Sequence, residues 1–171
     1  MVRALNLRGG IFLIKNNLKS FLIHVSISSI SVLVFMIFFT AQAKWVSEEA
    51  ARNHHISMMF LSIAMIIVAT FSYYSLGRKY LISEGSKYKD LFSVSLVTIL
   101  GVLLWVNAFN IDRFDPSNVL ANSGSWQFYS MNIGYSLFFI DESGSNNPYI
   151  FLLFSFIPTI AMWTGILKKS T

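Results

Sequence analysis

Four long stretches of this chain, residues 21–43, 56–76, 91–110 and 149–167, contain none of its 13 Lys and Arg or its 8 Asp and Glu side chains. Each is about 19–23 residues long, enough to cross ~30 Å of hydrocarbon as an α-helix. The expectation is an all-α membrane protein, a bundle of four transmembrane helices. Composition agrees. The chain is 54% hydrophobic and 12% charged, with a mean hydropathy of +0.58, whereas a soluble domain has about a quarter of its residues charged. No loop is long enough to fold separately, so residues 1–171 are expected to form a single four-span domain with an outer loop over 111–148.

The net charge of +5 does not indicate nucleic acid. The basic residues flank apolar runs and do not cover one soluble face, so anionic lipid headgroups are the better partner. Their distribution sets an orientation. Arg3, Arg8, Lys15 and Lys19 precede the first run; Arg78, Lys79, Lys87 and Lys89 lie between the second and third; Lys168 and Lys169 follow the fourth. Only Lys44, Arg52 and Arg113 lie in the other two loops. The expectation is a plasma-membrane protein with both termini cytoplasmic. The abundance of Lys, Asn, Ser, Ile and Phe points towards a bacterial source. Ala41-Gln42-Ala43 resembles a signal-peptidase site, but the preceding apolar stretch is longer than the 7–15 residues of cleaved signals, so an uncleaved anchor is expected.

Within the spans, His24, Ser28 and Ser31 follow i, i+4, i+7 spacing and share one helix face. A stripe of small hydroxyl residues suits helix–helix contact, while an ionisable group inside a bilayer is a functional candidate by default. Ser95, Thr98 and Gly101 suggest a close helix crossing, and Asn107 a polar lining or interhelical glue. Pro158 in the last run removes a backbone donor and kinks the helix. The carbonyl it frees, near Phe154, needs a partner, for which Ser155 and Thr159 are candidates. Gly9-Gly10 is expected to interrupt any helix near the start.

Between the spans, Glu48, Glu49, His54 and His55 are metal-ligand types. They lack the HExxH spacing that places two histidines on one helix face, so a solvated connector is expected. His54 and His55 would be the better pH sensors, since they face the exterior. In the outer loop, Tyr129, Met131, Ile133, Tyr135, Leu137 and Phe139 occupy every second position, which predicts a short element of β character. Asp112, Asp115 and Asp141 show no calcium-loop pattern.

The chain has no cysteine, which excludes disulfides, thiolate metal sites and thiol lipidation. No phosphate-binding glycine loop, serine nucleophile motif or paired intramembrane carboxylates occur. No cofactor is expected. The leading expectation is a non-enzymatic protein acting by association with a membrane partner or itself, as an accessory, regulatory or immunity-type subunit. The alternatives are a small permease or transporter membrane subunit using Pro158, Gly101 and Asn107, and a metal enzyme using His54, His55 and Glu49.

Overall fold

The first helix, α1 (Val2–Ala41), inverts the usual amphipathic pattern. Asn16, Ser20, His24, Ser28, Ser31 and Phe35 recur every three or four residues and are buried. Ile14, Leu18, Leu22, Val25, Leu33 and Ile37 recur in the same way on the other side and are exposed. A helix in water would place these faces the other way round. The second helix, α2 (Glu48–Tyr80), repeats the pattern, with Met58, Ser62, Ala69 and Tyr73 buried and Phe60, Ile63, Ile67 and Phe71 exposed. The computed structural model of the protein describes the backbone of residues 2–41, 48–111, 124–137, 139 and 148–170, and the side chains of 12–38, 56–111, 124–137, 139 and 148–169.

The remaining elements are α3 (Lys87–Phe92), α4 (Leu96–Ile111), α5 (Ser125–Asn132), a 3₁₀ turn (Gly134–Ser136), α6 (Pro148–Phe154) and α7 (Ile157–Ser170). Among the described residues, three stretches are long and apolar enough to cross a membrane: Phe12–Phe38, Ile56–Tyr80 and Pro148–Lys169. The fourth apolar helix, Leu96–Ile111, is shorter at 16 residues, or about 24 Å of rise. Both later runs are broken helices. The third is interrupted at 93–95, where the amides of Val94 and Ser95 bond back three residues, to Leu91 and Phe92. The fourth is interrupted at 155–156, where Ser155 and Phe156 do the same to Leu152 and Leu153. Pro158 lies just inside the start of α7, where its missing N–H breaks no bond within α7 but leaves the Phe154 carbonyl, at the end of α6, without the amide of residue 158.

Two expectations are corrected. Helix α1 continues through Gly9-Gly10; glycine weakens a helix interior by about 1 kcal/mol per residue but does not forbid it. The element of β character is helical instead, as α5 and the 3₁₀ turn, and no strand occurs among the described residues. Trp126, Tyr129, Ser130 and Ile133 are buried at i, i+3, i+4 and i+7, a helical face. From Ile133 to Leu137 every residue is buried. Alternation signals a strand only when one face meets solvent, and here neither does. A backbone so enclosed is best satisfied by its own local hydrogen bonds.

The segment from Ser125 to Leu137 is therefore inserted into the bundle and does not lie over it. It packs on α1, α2 and α4. Gly134 permits the insertion: a Cβ there would sit 2.6 Å from the Ser28 carbonyl oxygen and 2.6 Å from Val32 Cγ2. Around it lies one continuous core that includes Tyr73, Trp105, Trp126, Tyr135, Phe151 and Met162. A smaller cluster of Phe35, Met58 and Leu137 sits beside it. At one end of the bundle Trp105 stacks on Phe109, with ring centroids 4.9 Å apart, and donates Nε1–H to the Pro148 carbonyl at 3.0 Å. At the other end Asn16, Lys19, the 81–86 connection and Lys169 converge.

Helices α2 and α7 make the most extensive pairing. Backbone contact between them depends on two glycines. A Cβ on Gly77 would meet Met162 Cα at 2.8 Å, and one on Gly165 would clash with the Tyr74 carbonyl and stand 2.8 Å from the Arg78 amide. Both obstacles are backbone, which cannot swing aside. Gly165→Ala and Gly77→Ala are expected to destabilise the protein by about 1–3 kcal/mol each, as overpacking does. Gly85→Ala, with open space around its Cβ position but a φ of +74°, is expected to cost about 1 kcal/mol through backbone strain alone. Thermal unfolding in nanodiscs ranks the three.

Candidate functional site

The polar ridge of α1 meets the inserted segment at one point. His24 Nε2 lies 3.1 Å from Asn132 Oδ1, and His24 Nδ1 lies 2.9 Å from the Tyr73 hydroxyl. An amide oxygen can only accept, so Nε2 carries the proton and Nδ1 accepts from Tyr73. The imidazole is thus fully paired as a neutral ring. Ser28 Oγ donates to the Asn132 carbonyl at 2.8 Å, closing the end of α5. Ring stacking extends the cluster: His24 on Tyr73 at 5.9 Å, and Tyr73 edge-on to Tyr135 at 5.7 Å. His24 and Ser28, expected as a contact stripe, are brought together. Ser31 is buried farther along the same face.

A second group of contacts surrounds the break before Pro158. Tyr135 donates its hydroxyl proton to the Phe154 carbonyl, the one that Pro158 leaves without an amide partner. Tyr129 donates to the Phe151 carbonyl at 2.5 Å, with Ser155 Oγ 3.2 Å from the same hydroxyl. Thr98 Oγ1 donates to the Ser155 carbonyl at 3.0 Å. The partner of the Phe154 carbonyl is therefore Tyr135, not Ser155 or Thr159 as the sequence suggested. A tyrosine from another element reaches an oxygen that a residue on the same helix turn does not. Gly101 packs on Ser155, 2.8 Å from Oγ to its Cβ position, the close crossing expected of Ser95, Thr98 and Gly101.

The break at 93–95 is satisfied in the same way. Thr159 Oγ1 donates to the Val94 carbonyl at 3.0 Å. Asn17 donates to the Phe92 carbonyl at 3.0 Å and accepts from the Leu96 amide at 3.0 Å. Asn16 donates to Ser93 Oγ at 3.2 Å and to the Ile82 carbonyl at 2.7 Å.

Other candidates stand apart from this cluster. Asn107 is exposed and bonds Ser125 Oγ at 3.2 Å, at the start of α5, where it anchors the inserted segment. Pro158 is buried and acts through the carbonyl it frees. The backbone of His54 and His55 belongs to α2, but their side chains, with those of Glu48 and Glu49, lie outside the described residues. So do Asp112, Asp115 and Asp141. Among the described residues no three His, Cys, Asp or Glu side chains gather as metal ligands. The sequence reading missed Asn132, Tyr73, Asn16 and Asn17. The signal was available: Asn16 and Asn17 lie at the edge of an apolar run, and Asn132 continues the three-residue spacing of Trp126 and Tyr129.

No protein-family model, curated protein or solved structure matches this chain.

Asn132→Ala removes the partner of His24 Nε2–H. It is expected to cost about 1–3 kcal/mol, the penalty for an unpaired buried donor. A double-mutant cycle with His24→Ala should give a coupling above about 0.5 kcal/mol. Tyr135→Phe is expected to cost about as much by orphaning the Phe154 carbonyl. In a Pro158→Ala background that cost should shrink, because residue 158 regains an N–H able to reach Phe154. Equal costs in both backgrounds, read from unfolding midpoints, would show that Tyr135 does not serve that carbonyl.

Proposed function

We propose that this is a non-enzymatic, four-span protein of the plasma membrane that acts by association, as an accessory, regulatory or immunity-type subunit. The observation that carries the reading is the inside-out distribution of polarity. His24, its partners and the broken-helix carbonyls satisfy one another in the interior, whereas α1 and α2 present wide apolar faces outward. Paired interior groups offer neither a nucleophile nor a vacant proton acceptor. The surface is then where the protein does its work, and apolar helix faces meet lipid or other helices. The third span in this reading is residues 91–110, with the short α4 extended across the kink at 93–95.

Orientation rests on the same geometry. Lys15, Lys19, Arg78, Lys79, Lys87, Lys89, Lys168 and Lys169 belong to segments that meet at one end of the bundle, as the Asn16–Ile82, Lys19–Tyr80 and Lys169–Leu81 bonds require. A cationic end favours the cytoplasmic face, which puts both termini inside.

A second reading, a small permease or transporter membrane subunit, draws on a different observation. Two broken helices and an inserted segment meet, and such irregular backbone lines the pathways of many carriers. Pro158 would then be a hinge.

The absence of cysteine makes the tests clean. An impermeant thiol reagent on intact cells should label Asn118→Cys and leave Lys89→Cys untouched until the membrane is opened. Photo-crosslinkers at Phe71 or Ile37 should capture a protein, either a second copy or a different chain. Solute flux by the purified protein in vesicles, altered by Pro158→Ala without loss of assembly, would instead select the permease.

A further inference from the structure

At the basic end of the bundle a pocket of about 550 Å³ is lined by Ser83, Gly85, Ser86, Lys87, Asp90, Leu167 and Lys168. We propose that it binds the phosphate group of an anionic phospholipid headgroup. This rests on the membrane reading above and gives its lipid contact a defined site.

Three features make the pocket a built site and not merely a basic surface. Its wall, the 81–86 connection, is fixed from several sides. Asn16 bonds both the amide and the carbonyl of Ile82, at 3.2 and 2.7 Å; Lys169 Nζ bonds the Leu81 carbonyl at 3.3 Å; Lys19 Nζ bonds the Tyr80 carbonyl at 3.0 Å. A loop fixed in this way loses little entropy on binding.

The second feature is charge. Lys87 and Lys168 come from different helices, α3 and α7, and both line the pocket and are exposed. The one carboxylate in the lining, Asp90, is buried and committed inward. It accepts from Ser83 Oγ at 2.9 Å and from the Glu84 amide at 2.5 Å, and neither of these bonds involves a lysine. Glu84 does not line the pocket; burial, then the nearby Asp90, pushes its carboxyl up. Two exposed lysines thus line the pocket together with the Ser86 hydroxyl, a cationic and hydrogen-bonding lining of the kind a phosphate requires, while the Ser83 hydroxyl is committed to Asp90.

The third feature is depth. Trp163 donates Nε1–H to the Lys87 carbonyl at 3.1 Å, which ties α3 to α7 beside the pocket. Indole rings favour the headgroup layer. Leu167 gives the lining an apolar residue on the α7 side. A soluble phosphate gains nothing from this surface, whereas a lipid's glycerol and upper acyl carbons do.

The test uses the full chain in nanodiscs of zwitterionic lipid doped with an anionic phospholipid, with bound lipid counted by native mass spectrometry. The wild type is expected to retain the anionic lipid preferentially. Lys87→Gln with Lys168→Gln should cut that preference roughly tenfold or more, from about 1 kcal/mol for each basic residue at the surface. Lys87→Arg with Lys168→Arg should keep it. The charge-matched control, Lys15→Gln with Lys79→Gln, removes two lysines from the same end outside the pocket and should leave most of the preference intact. An equal loss in the control, or no preference in the wild type, overturns the proposal while leaving membrane insertion intact. Failure to enter nanodiscs would remove the membrane reading itself. In purely zwitterionic discs, titration with inorganic phosphate separates the sources: no binding supports a lipid headgroup, and saturable binding lost in the Gln pair overturns the lipid assignment in favour of a soluble phosphate.

Discussion

A backbone carbonyl released inside a membrane has no water to turn to, and this constraint organises the whole bundle. The proline in the last apolar run and the kink in the third create several such oxygens close together. Each is met by a side chain from a different element: Tyr135 for Phe154, Tyr129 for Phe151, Thr98 for Ser155 and Thr159 for Val94. The two broken helices thus satisfy each other, Thr98 serving the later one and Thr159 the earlier. An unmet oxygen would cost about 1–3 kcal/mol by the protein scale and more in hydrocarbon. The break at 155–156 therefore depends on the inserted segment, which supplies Tyr129 and Tyr135 to its carbonyls.

That dependence explains why the segment between Ser125 and Leu137 is drawn into the interior. It brings two tyrosine hydroxyls to the carbonyls of the last run and an asparagine to His24. Gly134 allows its backbone to touch α1, and Ser28 caps its end. Tyr129 and Tyr135 bury large apolar bodies while their hydroxyls reach partners, a combination suited to a site with no bulk water. His24 is held as a neutral, doubly bonded ring, which makes it a latch between the first span and this segment. Its polar atoms are spent on structure, which is why the proposed activity lies at the protein's surface. The surface itself is asymmetric, with apolar helix faces along the sides and a lysine-rich end carrying a defined pocket.

The membrane class, three of the spans and the α1 polar stripe were legible in the primary structure. Each depends on a local regularity: run length against bilayer thickness, or helical spacing of small polar residues. Pro158 also announced its own consequence, a freed carbonyl at Phe154. The identity of the rescuer was not legible, because Tyr135 lies 19 residues away and nothing in its neighbourhood points to that oxygen. The outer loop misled for a related reason. Alternating aromatic and small residues resemble a half-buried strand, but that pattern carries information only when one side meets solvent.

The amino-acid order alone thus determined the long apolar stretches, their helical form and the cationic flanks, since hydrophobic length and charge placement act residue by residue. Tertiary structure decided which polar groups pair, that a loop becomes part of the core, and that Lys87 and Lys168 share one pocket. Those outcomes join residues tens of positions apart. They are selected by the cost of leaving a buried donor or acceptor unpaired, a cost that exists only once the helices have come together.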